Sequence, residues 1–209
     1  MSKIWTALCA TIIGLGLMWP ALADAQSPGT VPIQTAEDIV LGKADAPVTI
    51  FEYASLTCPH CARFDKNILP QVKKEWLDTG KAKLIYRDFP LDGTALKASQ
   101  IARCAPADRF YGFVDVLFAQ QDVWGKPGQD PIPALQRIAK LGGISEERVK
   151  ECLADDKLQS MIVSQAFQAE KQYGVQSTPT FFINGKKVVG EPNSYEEFAK
   201  ALAAAAPKS

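Results

Sequence analysis

A strand that runs into two cysteines and then a helix constrains this chain more than any other feature. Val48-Thr49-Ile50-Phe51-Glu52-Tyr53 is β-branched and aromatic with one charge inside it, the pattern of a mostly buried strand. After Ala54–Thr57 comes Cys58-Pro59-His60-Cys61. Cys61, Phe64, Ile68, Val72 and Trp76 then recur at spacings of three and four, which predicts one helix over 59–78 with a single apolar stripe. Pro59 suits the first helical position, where its missing N–H costs nothing. Lys83–Phe89, stopped by Pro90, predicts a second strand. A helix crossing between two strands predicts that they pair in parallel.

Two cysteines separated by two residues close a small disulfide when the first stands at a helix N-terminus. The same place makes the first one reactive. Backbone N–H groups of the first turn and the helix dipole favour a thiolate at Cys58, so its pKa is expected well below the free value of about 8.5. His60, in that turn, can add donors and, when protonated, positive charge. A stable thiolate is a good leaving group, so the Cys58–Cys61 disulfide should tend to pass its oxidising equivalents on. Cys61, one turn in and on the apolar side, should be the less exposed, resolving sulfur. Two duller readings compete. A zinc site needs two further ligands, and the one histidine, His60, lies inside the motif. A purely structural staple is poorly served by so short a ring. Glu52 also divides two readings: alternation can turn it to solvent, or its apolar neighbours bury it and raise its pKa, where it can exchange a proton with Cys61.

A long helical region follows, over 94–173. Phe110, Phe113, Val114, Leu117 and Phe118 make one stripe, Leu135 and Ile138 a short one, and Val149, Cys152 and Leu153 another behind a Ser145 cap. Leu158, Ile162, Ala166, Ala169 and Tyr173 line a longer helix starting near Asp155. Strand character returns in Thr180–Ile183, which meets Asn184-Gly185, a strong hairpin signal, before Lys187-Val188-Val189. Ser194 with Glu197 predicts a capping box for a last helix.

Residues 1–25 have the layout of a secretory leader: a short basic start, an apolar run of about 16 residues, too short to span a bilayer, and small residues before Ala25. Residues 26–43, with Pro28, Gly29 and Pro32, predict a flexible lead-in holding at most one short strand. The chain carries 23 basic and 23 acidic residues. The leader removes one of each, Lys3 and Asp24, so the remainder is neutral and offers nothing for nucleic acid or a membrane surface. Cys9 leaves with the leader. Cys58, Cys61, Cys104 and Cys152 remain, an even number that favours disulfides in an exported chain. Pairing Cys58 with Cys61 leaves Cys104 with Cys152, expected as a structural clamp, with free thiols or a second redox role still open.

Cys58-Pro59-His60-Cys61 after this strand resembles the thioredoxin fold, and specifically the DsbA-type thiol:disulfide oxidoreductases of bacteria. The likeness runs through Gly42–Phe64, with Ala46-Pro47-Val48-Thr49 and Tyr53-Ala54-Ser55-Leu56-Thr57, and resumes in Ser177-Thr178-Pro179-Thr180-Phe181-Phe182-Ile183-Asn184-Gly185. It implies an α/β thioredoxin fold, a mixed β-sheet flanked by helices, built from 44–93 and 174–209 with an inserted helical domain at 94–173. It implies Cys58 as nucleophile, Cys61 as resolving cysteine and Glu52 as the acid beneath them. Pro179 matches a cis-proline facing the cysteines, and Thr178 the residue before it, which helps set redox poise and contacts substrate. Cys104 and Cys152 match an additional disulfide found in some relatives. No cofactor or metal is implied. The activity implied is donation of the Cys58–Cys61 disulfide, in the periplasm, to unfolded or partly folded exported proteins with free cysteines. A DsbB-like inner-membrane partner would reoxidise the site. An isomerase or reductase of the same fold is the alternative, and a periplasmic chaperone or binding protein a more distant one. Isomerases of this fold usually carry a dimerisation segment ahead of it; 26–43 is too short for one, so a monomer is expected.

Overall fold

The computed structural model describes residues 31–207; the leader expected at 1–25 lies outside them. Five strands form one sheet in the order β1-β3-β2-β4-β5: β1 (Val40–Gly42), β2 (Val48–Ala54), β3 (Ala82–Asp88), β4 (Thr180–Ile183) and β5 (Lys186–Lys187). β2 and β3 are parallel, joined by a helical crossover as expected, and the other neighbours are antiparallel. Part of the lead-in is thus an edge strand. Its flank is tied down as well, because Asp38 receives the Arg87 guanidinium at 2.6 Å with both side chains buried. The flexible reading fails there because a buried arginine on β3 needs a carboxylate, and 31–43 supplies it.

Alternation along β2 divides the core in two. Val48, Ile50 and Ala54 face one side, with Leu84 and Tyr86 of β3 and Phe181 of β4, while Phe51, Tyr53, Ile85 and Phe182 face the other. The first side is covered by α1 (Pro59–Asn67) and α2 (Leu69–Val72), and by α9 (Tyr195–Ala205). Phe64, Phe181 and Phe198 meet there with ring centroids 4.5 to 5.2 Å apart. The second side is covered by the C-terminal half of α8 (Asp156–Tyr173) through Ala169 and Tyr173.

The single helix expected over 59–78 is broken. Pro70 has no N–H to donate and its ring crowds the preceding turn. The chain ends α1 at Asn67, restarts as α2, and finishes in a π-helical turn over Lys73–Leu77. The apolar stripe survives the break: Cys61, Phe64, Ile68 and Val72 are buried, and Trp76, half-buried, donates its Nε1 hydrogen to Tyr195 Oη.

Between β3 and β4 stand α3 (Gly93–Arg103), α4 (Phe110–Ala119), α5 (Gln121–Trp124), α6 (Ile132–Leu141), α7 (Glu146–Leu153) and α8, an inserted helical domain whose α4, α6 and α7 stripes turn inward as expected, while of the α8 stripe only Ile162 and Ala169 are buried. Ser145 and Asp155 cap α7 and α8, each accepting from first-turn N–H groups. Cys104 and Cys152 form a disulfide with Cα atoms 6.2 Å apart, joining the end of α3 to α7. α4 packs on α1, which brings the insertion against the helix that starts with the cysteines.

The β4–β5 turn is the predicted one. Asn184 (φ 46°) and Gly185 (φ 79°) both take positive φ, as a two-residue hairpin of this hand requires. β5 is shorter than expected: Val188 N–H still reaches Phe181 O, but Val189 turns out to solvent. The Ser194 cap accepts from Glu197 N–H, while Glu197 reaches back to Asn193 N–H, one residue earlier than in a capping box.

Candidate active site

β2 ends in a loop that the protein holds from several directions. Cys58 N–H donates to Ser55 O at 3.0 Å. Thr57 Oγ1 donates to Asp92 Oδ2 at 2.7 Å, and Asp92 also caps α3 through Ala95 N–H. Gln121, on α5 of the insertion, donates its amide to Leu56 O (2.7 Å) and Cys58 O (3.1 Å). Cys58 is the N-cap residue of α1, with extended backbone (φ −78°, ψ 121°), and Pro59 follows inside the first turn. The cap carries no side-chain oxygen, so the first-turn N–H groups are left for the sulfur.

The two thiols are free and their environments push them apart. Cys58 is pulled from 9.0 down to about 5: the Cys61 thiol donates to its sulfur, Thr178 adds a second hydrogen bond, and the N–H groups of Cys61 and His60 assist against the cost of burial. Cys61, wholly buried, is pushed well above 9.0, first by burial, then by its bond to Cys58 and the nearby charge of Glu52. Glu52 lies on the same face as Ile50 and Ala54. That settles its orientation: it is 3% exposed, and burial, then Asp65, Cys58 and Asp115, raise it well above 4.5.

The Thr178–Pro179 peptide is cis and faces the cysteines. As a thiol, Cys58 donates to Thr178 O at 3.2 Å. Thr178 Oγ1 is buried without a partner in that geometry, and it is the side-chain donor that favours the thiolate. Beside the loop, His60, Ser177, Thr178, Pro179, Lys187 and Glu191 line a cleft of about 340 Å³. Among the described residues no cluster of His, Cys, Asp and Glu is placed to hold a metal ion.

His60 is placed differently from expectation. Its imidazole Nδ1 lies 2.5 Å from Glu191 Oε2 and 2.8 Å from Arg63 Nη2, and Arg63 also donates to Glu191 Oε1. One nitrogen serves one of these partners at a time: it donates to Glu191 when protonated there and accepts from Arg63 when not. His60 thus reaches Cys58 through its backbone N–H, while its ring is engaged with Arg63 and Glu191. Arg63, Asp92, Gln121 and Glu191 carry no signal in the sequence. Asp92, Gln121 and Glu191 are each brought in by tertiary structure from a separate turn or helix, while Arg63 stands one turn along α1 from His60.

A strand ending at a helix-capping Cys-x-x-Cys, with a cis-proline opposite, defines a thioredoxin-type dithiol site. The chain belongs to the thioredoxin family, whose model matches residues 34–204, and within it to the DsbA-like branch. It is similar to crystallised alpha-DsbA1 of Wolbachia pipientis, at 32% identity with a TM-score of 0.77, over 83% of this chain and 92% of that one. Crystallised BdbD of Bacillus subtilis gives 25% identity and a TM-score of 0.73, over 85% and 96%. A protein of Rickettsia bellii provisionally named a protein-disulfide oxidoreductase is 36% identical over 71% of this chain. The chain spans only 57% of that relative's length.

Proposed function

We propose that this chain is a periplasmic dithiol oxidase that donates its Cys58–Cys61 disulfide to exported proteins as they fold. The observation that carries this reading is the split between the two sulfurs: a stabilised thiolate at Cys58 against a buried Cys61 held as a thiol. A substrate thiolate attacks Cys58 Sγ; the Cys58–Cys61 bond breaks and its electron pair leaves on Cys61. Glu52 passes its proton to Cys61. A second substrate thiolate then attacks the substrate sulfur of the mixed disulfide, and Cys58 leaves as the thiolate its surroundings favour. The substrate loses two electrons and two protons, one proton ending on Cys61 by way of Glu52 and the other in solvent.

The cleft beside Thr178 and Pro179 supports docking of an extended peptide by main-chain hydrogen bonds, a mode indifferent to most of the substrate's sequence. The leader layout at 1–25 supports export, and a membrane quinone-linked, DsbB-like protein is the partner such an oxidase needs to be reset. Names among the relatives, a disulfide bond formation protein D from Bacillus subtilis for one, point the same way. Equilibration with glutathione tests the direction: a potential near about −120 mV supports the oxidase, and a value below about −250 mV refutes it in favour of a reductant. Cys58→Ser should abolish oxidation of a reduced substrate protein. Unchanged refolding yield with that variant would instead mark a chaperone.

A further inference from the structure

We infer that Tyr86 is a positioning residue for the proton exchanged between Glu52 and Cys61, its hydroxyl donating to the Glu52 carboxylate while that group is ionised. The inference rests on the exchange reaction proposed above.

Three observations meet here. β2 and β3 pair in register with Glu52 opposite Tyr86, so both side chains leave the sheet on one face, the face on which Cys58 and Cys61 pack. Both are buried, 3% and 2% exposed. Glu52 Oε1 and Tyr86 Oη are also two of the few buried side-chain oxygens with no hydrogen-bond partner among the described protein groups. An unpartnered buried hydroxyl is costly. Phenylalanine would keep the edge-on contacts of this ring with Phe110 and Phe118 and avoid that cost. The oxygen therefore serves something other than packing.

The reaction supplies a use. When the Cys58–Cys61 bond opens, the Glu52 O–H bond breaks, its proton moves to the leaving Cys61 sulfur, and a carboxylate is left in an apolar enclosure until a proton released by the substrate returns to it. On reoxidation Glu52 must ionise again to take the Cys61 proton. Tyr86 stands across one register pair from it and can donate directly after a side-chain rotation, or through one water. Burial, followed by the charge of Asp88, Cys61 and Glu52, pushes Tyr86 well above 10.0, so it remains a donor and does not itself ionise. The other titratable groups facing the pair are Cys58 and Asp65 on α1 and Asp115 and Tyr111 on α4. Arg103 on α3 faces it too, but is committed to Asp88 Oδ2 at 2.7 Å and Tyr86 O at 3.2 Å.

The test uses the full chain and the variants Y86F, E52Q and Y86F/E52Q. Reduced protein is mixed with oxidised glutathione, and closure of Cys58–Cys61 from the glutathione mixed disulfide is followed against pH. In Y86F the profile should move up by about one pH unit and the rate at pH 7 fall about tenfold, while the Cys58 titration stays at about 5. On the E52Q background, where no carboxylate forms, Y86F should add nothing further. A Y86F profile that matches the unaltered protein while E52Q shifts it overturns the role of Tyr86 alone. A Y86F effect that persists in full on E52Q also overturns it, by showing that Tyr86 acts through packing. An E52Q profile identical to the unaltered protein overturns the Glu52 relay, and the inference with it.

Discussion

The thiolate at Cys58 makes the reduced protein's stability depend on pH in a way the oxidised protein's cannot. Folding lowers the Cys58 pKa from 9.0 to about 5. A depressed acid stabilises the folded state in full above the unfolded pKa, and loses that stabilisation as pH falls through the folded pKa. Above pH 9 the four units amount to about 5.4 kcal/mol; at pH 7 only the two units between 5 and 7 count, about 2.7 kcal/mol. Below pH 5 almost nothing remains. In the disulfide form neither cysteine titrates, and Cys61 stays protonated in the reduced protein over pH 4 to 7, so the change in the gap across that range reports chiefly the Cys58 contribution. A thermodynamic cycle converts 2.7 kcal/mol into about 60 mV of added oxidising strength at pH 7. Between pH 5 and the much higher Cys61 value, reduction takes up two electrons and one proton, so the potential should fall by only about 30 mV per pH unit. Denaturant unfolding of both redox forms at pH 4 and pH 7, with thiolate absorbance followed across the same range, measures each quantity. The reduced form should gain about 2.7 kcal/mol on the oxidised form between the two pH values. A gap that does not change with pH, or a Cys58 that titrates near 9, would refute the reasoning.

Removing the Cys104–Cys152 bridge, which joins positions 48 apart, should cost roughly 4 kcal/mol by the loop-closure relation and leave the Cys58 titration unchanged. An unaltered unfolding midpoint in the C104A/C152A variant would contradict this. Asp38→Ala should cost about 3–5 kcal/mol, because it strips the buried Arg87 of its only carboxylate partner among the described residues. A loss below about 1 kcal/mol in denaturant unfolding would mean that Ile33 O and Tyr53 Oη already satisfy the guanidinium.

The local half of this site was legible in the sequence and the tertiary half was not. Cys58, Pro59 and Cys61 owe their geometry to a strand-to-helix junction written in consecutive residues, and alternation left Glu52 with a definite pair of options that the cover by α1 and α4 decided. Pro70 was also legible: a proline inside an apolar stripe still breaks the helix, and weighting the stripe over the missing N–H is what made one helix of two. Arg63 and Glu191 are different. They meet across 128 positions, and neither lies in a motif. That distinction bears on chemistry. The tetrapeptide supplies a helix N-terminus and a leaving group, but the hydrogen bonds that stabilise the thiolate come partly from Thr178, 120 positions away. A carboxylate at Glu191 draws the His60 ring into a network of its own. The ring spends its Nδ1 on Arg63 and Glu191, so stabilisation of the Cys58 thiolate rests on Cys61, Thr178 and the first-turn N–H groups, to which the histidine contributes its backbone and not its ring.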